Sequence, residues 1–162
     1  MAAVVRLDLI LQAYATRLAD IQTANEYSPG LNYRTDVKLV KRGLVNPNKV
    51  EETKRPGLFF ALLRPTTYQH FPGGLYHGTS SLVTHGYISR KGKTTDEKRE
   101  QSYNLRADVM AALKEDPQLG GTCIQCLVRD DDASMGRPTD ASQDGWIAIV
   151  AEILWCGSRL SQ

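Results

Sequence analysis

Near the end of the sequence stands GWIAIVAEILW, residues 145 to 155, with apolar side chains at both parities. Trp146, Ala148, Val150 and Leu154 share one, and Ile147, Ile149, Ile153 and Trp155 the other. Successive residues of a strand point to opposite faces. A strand written this way has two faces to cover: one packs on the chain's own helices, and the second needs another partner. This stretch limits the fold to layers built around an interior strand.

Ahead of it, DVMAALKEDPQLGG (residues 108 to 121) reads as a helix that stops at a set place. Leu105, Val109, Ala112 and Leu113 recur at helical spacing, Asp116-Pro117 ends the pattern, and Gly120-Gly121 frees the backbone. Leu113 is expected to face a sheet, Asp108 to lie on the opposite, wetter side, and Gly121 to hold a positive φ. A first helix over roughly residues 3 to 25 follows from Leu7, Leu11, Tyr14, Leu18 and Ile21, with Ile10 beside them. YSPG at 27 to 30 closes it. NYRTDVKLVKRG then alternates Tyr33, Val37 and Leu39 against Arg34, Asp36 and Lys38, a half-buried strand that leaves at Gly43.

LVNPNKVEETKRPG is a polar loop, and LFFALLR, residues 58 to 64, is an interior strand. The Gly-, Pro- and Thr-rich stretch up to residue 80 is expected to form a long loop or arm at about 64–80. SLVTHGYISR reads as a third strand, and KGKTT turns the chain into the second helix with Thr95 or Asp96 as N-cap. TCIQCLVR, 122 to 129, is a strand, and DDDASMGRPTDASQD is an acidic loop before the final strand. Strands come in runs and do not alternate with helices. At 162 residues the expectation is one α+β domain over 1–162. Its mostly antiparallel sheet would have about four to five strands, with helices packed on one face.

Candidate chemistry is thin. CIQC resembles a metal or redox pair, but zinc requires four ligands, and a strand sends Cys123 and Cys126 to opposite faces. With Cys156 they are expected to be buried, reduced thiols with raised pKa. His70 and His77 fall in the expected loop and His85 in a strand. None of them, with Ser80 or Cys156, has a recognisable nucleophile context. GKTT at 92 to 95 lacks the earlier glycine of a phosphate loop, since position 87 is tyrosine. Asp130, Asp131 and Asp132 do not follow the alternation of a calcium loop. No catalytic residue, metal or cofactor is expected.

The net charge of +2 and pI near 8.4 are too mild for a nucleic-acid footprint. No apolar run approaches the ~20 residues of a membrane span. Arg6, Asp8 and Arg17 interrupt the apolar N-terminus, which argues against a secretion signal. Charge is instead separated locally. From 38 to 55, six cations (Lys38, Lys41, Arg42, Lys49, Lys54 and Arg55) stand against Glu51 and Glu52, a balance of +4. From 129 to 144, five aspartates (Asp130, Asp131, Asp132, Asp140 and Asp144) stand against Arg129 and Arg137, a balance of −3. Such a chain suits head-to-tail association, the basic edge of one copy meeting the acidic edge of the next; such contacts can close into rings.

The succession of elements resembles the tail terminator proteins of long-tailed bacteriophages. The likeness is most specific over residues 104 to 155: a helix reading NLRADVMAALKEDPQLGG, a strand, a polar excursion, and a last strand reading GWIAIVAEILW. Asp108, Leu113, Asp116, Pro117, Gly120, Gly121 and Trp146 are the matching positions. The resemblance implies an α+β subunit of a hexameric ring that caps the finished tail tube and stops its polymerisation. Its partners would be copies of itself, the tail tube protein and a head-closure or neck protein. Its place would be the tail–neck junction of the virion, after assembly in the host cytoplasm. Two alternatives stay open: another neck component, either a head-closure or an adaptor protein, and a small cytosolic hydrolase using Cys156 or His85.

Overall fold

The strand at the end of the chain finds its main partner in an equally long one. In a computed structural model describing residues 2–129 and 145–158, the chain begins with α1 (Ala2–Ala19) and a small ribbon of β1 (Glu26–Ser28) and β2 (Leu31–Asn32). It continues through β3 (Leu39–Arg42), β4 (Gly57–Leu62), β5 (Thr67–His70) and β6 (Leu75–Tyr87). Then come α2 (Thr95–Glu115), β7 (Gln125–Arg129) and β8 (Trp146–Ser158). β6 and β8 pair antiparallel along thirteen residues each, from Leu75 opposite Ser158 to Tyr87 opposite Trp146. The large sheet runs β3-β4-β6-β8-β7, with β5 also on β6 beyond the end of β4. Among the described strands, only β3 and β4 pair in parallel. The α+β class is as expected. The sheet has six strands, more than the four to five expected, because β5 is exposed at every position and carries no apolar alternation to announce it.

Both helices lie on one face. Ile10, Tyr14, Leu18, Leu105, Val109, Ala112 and Leu113 are fully buried there, against Leu58, Leu82, Ile149, Ala151, Ile153 and Trp155. Tyr14 passes its hydroxyl into the sheet, 2.7 Å from the Thr84 hydroxyl, and burial raises its pKa. Arg17 ties the two helices together by donating to the Ala112 carbonyl at 2.6 Å. Close packing depends on Gly86: a Cβ there would stand 2.8 Å from Ile147 and 2.9 Å from both Leu105 and Leu58.

Several boundaries depart from the sequence reading. α1 stops at Ala19, six residues early. Ile21 still reaches the core, but from a turn whose carbonyl accepts from the Val37 amide at 3.0 Å. The strand expected around Tyr33 to Gly43 is confined to Leu39–Arg42; Tyr33 and Val37 are buried without pairing in the sheet. Their alternation reported burial, and no ladder followed. Thr94 caps α2 in place of Thr95 or Asp96. Its hydroxyl accepts from the Glu97 amide while the Glu97 carboxylate accepts from the Thr94 amide, which satisfies two free donors together. The expected arm at 64–80 is mostly strand, β5 and the first half of β6 joined through Gly73 and Gly74 at positive φ. Gly121 has φ +83°, as expected.

Asp108 is the clearest reversal. It is 3% exposed, and its carboxylate accepts the backbone N–H of Arg34 at 3.0 and 3.2 Å, pinning the crossing segment to α2. Burial raises its pKa, against the opposing pull of hydrogen bonds from Thr35 and Arg34. Asp108→Ala should therefore cost about 1–3 kcal/mol by removing the acceptor of the part-buried Arg34 N–H, and Leu113→Ala ~2–5 kcal/mol. Urea melts measure both. Since the folded pKa exceeds the unfolded one, ionisation costs the fold. This contribution should decline as pH rises from the ordinary carboxylate range through the raised value, and Asp108→Asn should flatten that slope. A wild-type melt for Asp108→Ala would show that the pin carries no weight.

Candidate assembly surface

The helices cover one face of the sheet, so the side chains of opposite parity define the other. Cross-strand register places Phe59, His85 and Ala148 in one row and Ala61, Val83 and Val150 in the next. Ser81, Glu152 and Leu127 form a further row, and Thr79, Leu154 and Gln125 another. Leu127 is 46% exposed, and Ala148 and Leu154 are half-buried. Arg129 and Glu152 form an ion pair here at 3.1 Å. Phe59, Val83 and Val150 at its centre are buried, and the face opens toward β7 at Leu127.

Near β3 and β4 the same face is partly covered by the segment between them. Two short 3-10 turns, Pro47–Lys49 and Glu52–Lys54, fold back over it. Arg55 holds them in place and is only 3% exposed. Its guanidinium donates to the carbonyls of Ile88, Val50 and Pro47, and it lies 5.9 Å over the Tyr87 ring. Burial lowers the Arg55 pKa. Glu52, paired with it at 3.7 Å, also accepts from the Ser89 hydroxyl and the amides of Arg90 and Lys91. Burial works to raise the Glu52 pKa, but those hydrogen bonds together hold it below the usual carboxylate range.

The six cations expected to form one basic edge are thereby divided. Arg55 is buried and serves the fold. Arg42 pairs with Asp8 of α1 at 3.2 Å, on the helix side of the sheet. Lys38 lines a cleft with Arg34, Lys93 and Asp36. Lys41, Lys49 and Lys54 line a different cleft of about 370 Å³ on the open face, floored by Leu39, Leu44, Val45 and Phe59. Glu51 shares that rim and lies 3.7 Å from Lys54. Asp130, Asp131, Asp132, Asp140 and Asp144 fall outside the described residues. Sequence reasoning missed Arg34 and Lys93, which lie outside the charge run, and the apolar floor, which alternation in 44–50 does not announce.

The groups with chemical potential are dispersed. Cys123 and Cys126 are buried, Cys123 ahead of the strand and not within it, and burial pushes the Cys126 thiol up to about 12. Cys156, expected to be buried, is exposed, because the even positions of β8 turn to the open face. His70 and His77 stand on β5 and β6, not in a loop. His77 is directly opposite Cys156, whereas His85 is eight residues along the strand, ~26 Å away at strand rise. His85 packs against Trp146 at 5.7 Å, and burial lowers its pKa. Among the described residues no group of three or more His, Cys, Asp or Glu side chains could hold a metal ion. No helix among them is long and apolar enough to cross a membrane.

No model of a known protein family matches the chain, and no curated protein is significantly similar to it. The surface stands on its own geometry. A brief maleimide pulse on the native protein should label Cys156 and leave Cys123 and Cys126 unmodified, as read by peptide mass spectrometry. Equal labelling of all three would contradict the assigned faces of β8 and β7.

Proposed function

We propose that the protein is a structural virion component: the tail terminator of a long-tailed bacteriophage, a ring that caps the tail tube, stops its polymerisation and presents a surface for joining the head. The observation that carries this reading is the two-faced central sheet. One face is filled by the chain's own helices; on the other, Val83 and Val150 are buried at the centre, while Leu127 is exposed and Ala148 and Leu154 are half-buried, with cations at the β3 side. β7 and β3 are opposite edges of one sheet, so contacts using both edges are heterologous and can propagate around a ring.

The distal ends of β5, β6 and β8 support a second contact region. Tyr68, Tyr76 and Trp155 form an aromatic cluster there, and Tyr68, Phe71 and Leu75 remain exposed beside it. A ring meeting a tube on one side and a neck on the other needs such axial surfaces in addition to the lateral ones. The reading needs no metal, cofactor, catalytic residue or membrane, and it places the protein at the tail–neck junction. The partners are the tail tube protein and a head-closure protein. A head-closure or adaptor protein is the nearest alternative and differs in which neighbour it binds.

Electron microscopy of the purified protein, alone and mixed with tail tubes, tests the proposal: rings of six, seated at one end of the tubes, are expected. Leu127→Asp, at an exposed position, should leave the melting temperature near wild type. It should weaken self-association by about tenfold, equivalent to ~1.4 kcal/mol. Native mass spectrometry showing monomer at every concentration, together with bare tube ends, would overturn it.

A further inference from the structure

The cleft of Lys41, Lys49 and Lys54 has a composition that narrows what it can hold. Three flexible ammonium groups surround a floor of Leu39, Leu44, Val45 and Phe59, with Glu51 the single opposing charge on the rim. All three lysines are exposed, and Phe59 beneath them is buried. A small inorganic anion would leave that floor unused, and a purely apolar side chain would leave the ammonium groups unmatched. The fitting ligand is a peptide with carboxylates flanking one flexible apolar side chain.

The chain contains one such segment. Residues 130 to 144 include the sequence's only run of three consecutive acidic residues, Asp130-Asp131-Asp132, followed at once by Ala133, Ser134 and Met135. Methionine is the apolar side chain best able to fill an irregular floor. The other cation-lined cleft is less suited. Asp36 sits among its cations, and Arg55 there already gives its donors to three carbonyls.

We propose that this cleft receives the acidic segment 130–144 of a neighbouring copy, with Met135 on the apolar floor and Asp130–Asp132 on the lysines. This deepens the ring reading and rests on it. The topology favours a segment from another copy. Asp130 follows Arg129, the last residue of β7, while Lys41 lies on β3 at the opposite edge. Four strand spacings separate those edges, ~19 Å. Copies joined head to tail, the β7 edge of one to the β3 edge of the next, therefore set the start of one subunit's segment beside the next subunit's cleft.

Charge reversal in both partners tests it, with sedimentation velocity at low salt as the readout. One variant carries Lys41→Glu, Lys49→Glu and Lys54→Glu; the other carries Asp130→Lys, Asp131→Lys and Asp132→Lys. Each alone should associate at least about tenfold more weakly than wild type. An equimolar mixture should regain association, since each reversed cleft then faces a reversed segment. Met135→Ser should weaken the wild-type contact with no change in charge. Variants that assemble individually like wild type would overturn the cleft and leave the ring reading standing. A wild-type protein that stays monomeric at every concentration would overturn both. Lowered melting in each monomeric variant, restored only when all six reversals share one chain, would put the segment on its own subunit and overturn the proposal.

Discussion

The thirteen-residue pairing of β6 with β8 is the constraint on which the rest of the structure depends. Two strands of that length, side by side at the centre of a sheet, leave the neighbouring elements little choice. β4 and β5 must share the outer side of β6 end to end, and β7 must take the outer side of β8. Bulk is removed where packing is tightest. A Cβ on Gly78 would stand 2.5 Å from the Trp155 ring, so the indole lies flat on bare backbone and donates to the Ser80 hydroxyl at 3.1 Å. Gly86 does the same beneath α2. The ladder also produces two extended faces, and this chain has helices for only one of them.

Much of this was legible in the sequence, for a definable reason. Apolar side chains on both parities of 145–155 mark a strand with two covered faces whatever its neighbours. Helical spacing around Leu113 marks a side that must be buried. What failed were inferences from polarity. Asp108 is charged, which by itself points to solvent, yet its buried carboxylate holds the Arg34 backbone N–H. Arg55 belongs to a charge run, which points to an interface, yet it fastens the cover over β4. Cys156 has apolar sequence neighbours, which point to the core, yet its parity turns it outward. Local sequence cannot reveal which polar groups a distant segment will need, because the partner is fixed only by topology. The same limit hid β5, which becomes a strand only because β6 offers it an edge.

The candidate surface was half legible. The second apolar parity of the last strand marked a face away from the helices, on which Val150 is buried and Ala148 and Leu154 are half-buried. The sequence could not forecast how six neighbouring cations would be parted between the fold, the helix side and two clefts. That division matters energetically. Exposed ion pairs contribute ~0–1 kcal/mol each and are screened by salt, so a basic edge alone would make a weak and promiscuous contact. Lysines set around an apolar floor combine orientation from charge with affinity from burial. The charged groups then select the neighbour, and the apolar face holds it.

Hydroxyl-radical footprinting of the protein above and below its association midpoint examines that division of labour most directly, residue by residue. On association, Leu127, Leu154 and Trp146 of the open face should become protected. Leu9 of α1 and Tyr103 of α2, both exposed on the helix layer, should oxidise as before. Unchanged oxidation of the open face, or protection confined to Leu9 and Tyr103, would contradict the assignment of the uncovered sheet face as the surface through which copies assemble.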